Sequence, residues 1–160
     1  MHQAALSALD QCAQIAAKNL DPSVTMVCGS SWGGAVALYM IANKLWTGKT
    51  VLIAPAFKRV ITQGMADKNG RDHLEQKTMK VWYDRLAQCL PDDAARSGVV
   101  VIHGEKDEII PLDDSKELCR VIGLKLVTIP EGDHTLNDYL ISQKQLIPFI
   151  SALGVESSHL

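Results

Sequence analysis

Apolar residues fall into two kinds of run along the chain. Residues 24–28, 50–54, 99–102 and 124–129 are short, continuous and rich in Val, Leu and Ile. That is the pattern of strands buried on both faces. Between them lie longer runs with helical spacing. Over residues 4–20, Ala5, Leu9, Cys12, Ala16 and Leu20 fall on one face, with Asp10, Gln14 and Lys18 away from it. Residues 34–45 are apolar nearly all round (Val36, Leu38, Tyr39, Ile41, Ala42, Leu45), which predicts a helix buried between a sheet and other helices. Residues 74–90 carry a stripe of Leu74, Thr78, Trp82, Leu86 and Cys89. Residues 112–122 read as a helix with Asp113 or Asp114 as N-cap and Gly123 as C-cap. The chain after His134 reads as helical to about Leu153, with a kink near Pro148.

Asp21-Pro22, Thr47-Gly48-Lys49, Pro55 and Pro91 punctuate these runs. Residues 56–73 are irregular and long for a loop, which leaves room for short helices or a flap. Strands alternating with helices imply parallel pairing and right-handed crossovers. The expected fold class is α/β: three layers, with a mostly parallel sheet of about four strands flanked by helices. One domain covers residues 1–160, with 56–90 as a cap or pocket wall and 155–160 as a polar tail.

Composition narrows the function classes. The net charge of -2, without a basic run, gives no reason to expect nucleic acid or an anionic membrane surface as partner. No apolar stretch reaches the length of a membrane span, and the N-terminus lacks the pattern of a secretory signal, so the expected location is cytoplasmic. Cys12, Cys28, Cys89 and Cys119 show no C-x-x-C spacing and are expected to be buried reduced thiols, Cys28 on a core strand among them. His2, His73, His103, His134 and His159 are dispersed, without metal-ligand spacing.

The chemistry gathers at three strand ends. Gly29-Ser30-Ser31-Trp32-Gly33 is a G-x-S-x-G pattern between a strand and a helix. Such a turn exposes its middle serine at the tip, and glycines two before and two after it avoid collisions. His103-Gly104-Glu105-Lys106-Asp107 follows the third strand, and Pro130-Glu131-Gly132-Asp133-His134 the fourth. In parallel sheets reactive loops collect at the carboxyl edge of the strands. A serine hydroxyl attacks only if a base takes its proton, histidine is the natural base, and a carboxylate orients that histidine. Ser31, His134 and Asp107 supply those roles. Ser30 lacks the glycine frame. His103 is the competing histidine, and Asp133 and Asp138 are the competing carboxylates.

The elbow, the acid loop followed by Ile110-Pro111, and Gly132-Asp133-His134 come in the order Ser, Asp, His. In this the chain resembles the α/β-hydrolase superfamily over roughly residues 24–153. The resemblance implies a serine hydrolase that cleaves an ester, thioester or amide of a small-molecule acyl substrate through an acyl-enzyme, with no metal and no organic cofactor. It assigns Ser31 as nucleophile, His134 as base and Asp107 as its orienting acid. The backbone N–H of Trp32 becomes an oxyanion-hole donor. His103 precedes Asp107, against the family's order. A protonated His134 could not act as that base. Trp82 and Tyr83 fall where a pocket wall would lie, and ordinary helix packing also explains them.

Fuller members of the superfamily have several strands before the elbow, and here one helix precedes it. The loop that supplies the second oxyanion donor has no counterpart. A truncated hydrolase is expected, with the strand at 24–28 on an exposed edge open to pairing with a second copy. The alternative is a hydrolase-fold binding module with weak or absent turnover. A nucleotide-binding domain is disfavoured, because G-x-G-x-x-G and a P-loop lysine are both missing.

Overall fold

Four strands pair in parallel and in chain order: β1 (Val27–Ser30), β2 (Thr50–Ile53), β3 (Val99–Gly104) and β4 (Lys125–Ile129). The structure is a computed structural model and describes residues 2–63, 65 and 71–136. Ser30 pairs with Ile53, Ile53 with Ile102, and Gly104 with Ile129, so the strands finish nearly level at one edge. The loops after β1, β3 and β4 all leave from that edge.

The helices are α1 (His2–Ala17), α2 (Trp32–Ala42), α3 (Phe57–Ile61), α4 (Arg71–Cys89), α5 (Asp93–Ser97) and α6 (Leu112–Ile122). Strand side chains alternate between the faces of the sheet. Leu52, Val99 and Val101 join a large core with Leu9 of α1, Leu38 of α2, Leu86 of α4 and Leu118 of α6. Val51, Ile53, Val100 and Ile102 form a second core on the opposite face with Ile129 and Leu136. Both faces of β2 and β3 are therefore buried, which explains their unbroken apolar sequences. The apolar α2 buries Gly34, Ala35, Ala37, Leu38, Met40, Ile41 and Ala42, as a helix packed on several sides must.

The structure departs from the sequence expectations in several places. The turn at Asp21 runs further than its proline suggests, because Asp21 Oδ1 accepts from the Ser23 N–H (2.9 Å) and from Ser23 Oγ (2.6 Å). Val24 is left 82% exposed, and the strand begins three residues later. In α1 the buried positions are Leu9 and Ala13, while Cys12 points to solvent, one residue round from the expected stripe. Cys28 is exposed as well, on β1 at the rim of the sheet; Cys89 is half-buried and Cys119 buried. The expectation of four buried thiols therefore fails for Cys12 and Cys28. Neither Asp113 nor Asp114 caps α6: Pro111 occupies that position, Asp113 pairs with Lys116 at 3.0 Å, and Asp114 lies 3.4 Å from Lys58. Gly123 does end α6, in the left-handed conformation at φ 81°. An unforeseen cap is Asp92, whose Oδ1 accepts from Ala95 N at 2.9 Å and starts α5.

The irregular stretch after β2 contains α3, and α4 begins before the expected position. Trp82 and Tyr83 are buried. The Trp82 ring meets Tyr39 at 5.3 Å and stands edge-on to Phe57 at 5.9 Å, so it serves helix packing. Among the described residues β1 pairs with a strand on one side only, as the exposed edge requires. The expected helix after His134, its kink, Asp138 and the tail at 155–160 lie outside the described residues.

Candidate active site

Ser31 is the single residue between β1 and α2. Its backbone sits at φ 51° and ψ -113°, a conformation an L-residue holds only under strain of about 1–3 kcal/mol. Three backbone hydrogen bonds hold it there. Ser31 N–H donates to Ile53 O at 2.9 Å, and Ser31 O accepts from Ala35 N at 3.1 Å and Ala56 N at 3.0 Å. A Cβ on Gly29 would fall 2.6 Å from Gly33 O, which accounts for the first elbow glycine. The second expectation is corrected. A Cβ on Gly33 would meet nothing within 4 Å, whereas one on Gly34 would fall 2.9 Å from Pro55 Cα. The close approach needs Gly34, because the helix starts at Trp32 and turns that position onto the end of β2.

Trp32 is the first residue of α2, so its N–H has no acceptor within the helix. The positive end of α2 therefore lies next to Ser31. A cavity of about 470 Å³ opens there, lined by Ser31, Trp32, Arg59, Val60, Gln63 and Ile110 among others. Trp82 and Tyr83 do not line it.

The acid and base loops are sewn together. Glu105 N–H donates to Ile129 O at 3.0 Å and Lys106 N–H to Gly132 O at 2.9 Å, and the Lys106 ammonium pairs with Glu131. Gly104 lies so close to the Gly132 backbone that a Cβ would overlap the Gly132 carbonyl. Asp133 turns away from its neighbour: its Oδ1 accepts from Thr135 N and Leu136 N at 3.0 and 2.7 Å. His134 is thereby presented to Asp107.

His134 Nδ1 lies 2.7 Å from Asp107 Oδ2. Asp107 Oδ1 accepts from the N–H groups of Ile109 (2.8 Å) and Ile110 (2.9 Å). The carboxylate side chain is fully buried and that of His134 is 15% exposed. Burial pushes the Asp107 carboxyl up, but the Ile110 N–H, His134 and the Ile109 N–H together bring it below the ordinary carboxylate value. An ionised Asp107 accepts a hydrogen bond from Nδ1–H, which fixes the His134 tautomer with its lone pair on Nε2. Ser31 stands at the same sheet edge on the other outer strand. Among the described residues no hydrogen bond joins it to His134.

Sequence reasoning treated His103 only as a competitor, and the structure gives it a place beside the acid. It is fully buried, with Nε2 3.1 Å from Ile110 O and 3.2 Å from Asp107 Oδ2, and Nδ1 2.8 Å from Ser115 Oγ. Nε2 faces oxygens that only accept, so it carries the proton, and Nδ1 accepts from the Ser115 hydroxyl. Burial holds its pKa below the ordinary histidine value, and the Ile110 carbonyl and Asp107 offset this only in part. A histidine four residues before an acid on the same strand end was the available signal. Among the described residues no group of three or more His, Cys, Asp or Glu could hold a metal ion, and no helix is long and apolar enough to cross a membrane.

The fold is similar to that of several solved hydrolases. One is MGS-MChE2, an α/β-hydrolase enzyme from the metagenome of lagoon sediments at Mar Chica, Morocco. It superposes with a TM-score of 0.57 at 16% identity, over 89% of this chain and 68% of that one. A predicted CIB-like hydrolase from Thermoplasma acidophilum gives 0.55 at 15%, over 92% and 60%. Est1E from Butyrivibrio proteoclasticus gives 0.55 at 19%, over 86% and 65%. The chain spans less than two thirds of the length of these last two. No curated protein matches it by sequence. With its parallel sheet in chain order and its elbow after β1, the chain has an α/β-hydrolase fold. The sequence profile of the uncharacterised protein family UPF0227 matches residues 1–151, and the chain belongs to that family.

Proposed function

We propose that the protein is a serine hydrolase that cleaves an ester, thioester or amide bond through an acyl-enzyme. The observation that carries this reading is the buried Asp107 carboxylate 2.7 Å from His134 Nδ1, at the sheet edge where strained Ser31 opens into a cavity. Ser31 Oγ attacks the carbonyl carbon as His134 Nε2 takes its proton. The Trp32 N–H and the start of α2 stabilise the oxyanion. Collapse of the tetrahedral intermediate breaks the bond to the leaving group, which receives the proton from His134. Water, deprotonated by His134, then releases the acid and regenerates Ser31. The solved proteins of similar fold are hydrolases, which supports the same class.

Labelling with a fluorophosphonate probe tests this. The folded protein should label, and Ser31→Ala and His134→Ala should each abolish labelling. A folded wild type that stays unlabelled, or a Ser31→Ala variant that still labels, overturns it.

A further inference from the structure

Arg59 is a cation on the wall of the cavity beside Ser31, and it is exposed. Its NH1 group donates to the Ile109 carbonyl at 2.7 Å. An arginine fork carries five N–H donors, and a single bond to a neutral carbonyl leaves most of them free. Among the described residues Arg59 has no carboxylate partner. The contrast with its neighbour is direct: Lys58 is held by Glu117 at 3.0 Å and Asp114 at 3.4 Å. Among the described residues no Asp or Glu lines the cavity. The rest of its wall is mainly apolar, with Trp32 and Ile109 partly open to solvent beside Arg59.

A guanidinium anchored at one nitrogen and unpaired at the others matches a carboxylate bidentately. We infer that Arg59 binds a carboxylate on the substrate, so that the cavity selects esters or thioesters whose chain carries an anionic group over neutral ones of the same length. This rests on the reading of Ser31 as nucleophile only for turnover; binding of the anion does not depend on it. The anchor on Ile109 gives the fork a fixed position near the acid loop, since Ile109 N–H is itself bonded to Asp107.

The experiment has a kinetic arm and a binding arm. The kinetic arm compares 4-nitrophenyl hemiglutarate with 4-nitrophenyl pentanoate, and 4-acetoxybenzoate with phenyl acetate, which place the anion on the acyl or the alcohol side. Wild type should prefer the anionic member of one pair in kcat/KM. Arg59→Gln should lower that preference about tenfold or more, and Arg59→Lys should restore part of it. The preference should also shrink as salt is raised.

The binding arm titrates monomethyl glutarate into Ser31→Ala and Ser31→Ala/Arg59→Gln by calorimetry, with methyl pentanoate as the neutral control. Binding of the anion should be selective and should weaken about tenfold without Arg59. Anion binding that needs Arg59, without turnover of any ester, sustains the inference and counts against the hydrolase reading. Turnover with no anionic preference in either pair, or an equal loss on both members in Arg59→Gln, overturns the inference and leaves the hydrolase reading intact. Loss of both arms in a folded protein overturns both.

Discussion

His103 Nε2 lies 3.2 Å from Asp107 Oδ2, and neither side chain has any exposed surface. The carboxylate that receives His134 is therefore flanked by a second, neutral histidine. With Ser115 bonded to its far nitrogen, His103 acts in the proposed reaction as a positioning residue: it touches Asp107 and the Ile110 carbonyl, and it is not itself among the residues that line the cavity.

Removing the Ser115 hydroxyl leaves a buried histidine nitrogen without its donor. Ser115→Ala should lose about 1–3 kcal/mol of stability in urea unfolding. Its kcat on an ester should fall about fivefold with KM little changed, since about 1 kcal/mol of positioning corresponds to that factor. A loss of stability with an unaltered kcat and pH profile would reduce Ser115 to a packing role.

Asp107→Asn keeps the side chain's shape but removes the charge that His134 needs. The fall in kcat expected for a triad of this kind is about 10⁴, with the secondary structure preserved by circular dichroism. An active variant would mean that Asp107 does not orient the base.

Acid should weaken the fold in two stages. The pKa of His103 is held below its ordinary value of about 6.5, so below that pH the unfolded chain binds a proton that the folded chain refuses. Stability then falls as pH drops from 7.5 through the region just below 6.5. Asp107 is also held below its ordinary value of about 3.9, and its contribution is complete above that pH and lost as pH falls through the lower folded value. Thermal unfolding at pH 7.5 and 5.5 should show a smaller loss in His103→Gln than in wild type. Equal losses would remove His103 from this account.

The elbow glycines should separate cleanly. Gly29→Ala drives a Cβ onto backbone at 2.6 Å and should cost about 1–3 kcal/mol. Gly33→Ala meets open space and should be neutral or gain up to about 1 kcal/mol in a helix. Urea unfolding of the two variants decides this, and equal effects would contradict the elbow geometry.

Much of this arrangement was legible before the structure. Strands buried on both faces advertise themselves as unbroken Val and Ile, so β2 and β3 could be read directly and the order of the loops followed. The Ser, Asp and His positions stood out because each lies in a loop that follows a short apolar run. Cys28 was misread because an apolar run does not reveal which face of its strand is left uncovered, and Cys28 lies on the same open face as Ser30. The tight glycine was misplaced at Gly33 because the steric demand depends on where α2 starts, and that is set by Ser31's own unusual backbone. His103 was set aside on order alone. Its place beside Asp107 comes from α6, which brings Ser115 across from twelve residues away. Arg59 carried no pattern at all; only the folded α3 puts it on the cavity wall.

The contact of Gly104 on Gly132 has a mechanical consequence. Asp107 and His134 hang from one rivet of bare backbone, clamped by the bonds from Glu105 to Ile129 and Lys106 to Gly132. They cannot drift apart without opening the end of the β3–β4 ladder. Thermal breathing that separates Asp107 from His134 must then be as rare as the fraying of that ladder, while Ser31, hung from the opposite margin, answers to a different hinge. Amide exchange at Lys106 should therefore report on the integrity of the Asp107–His134 pair, independently of Ser31.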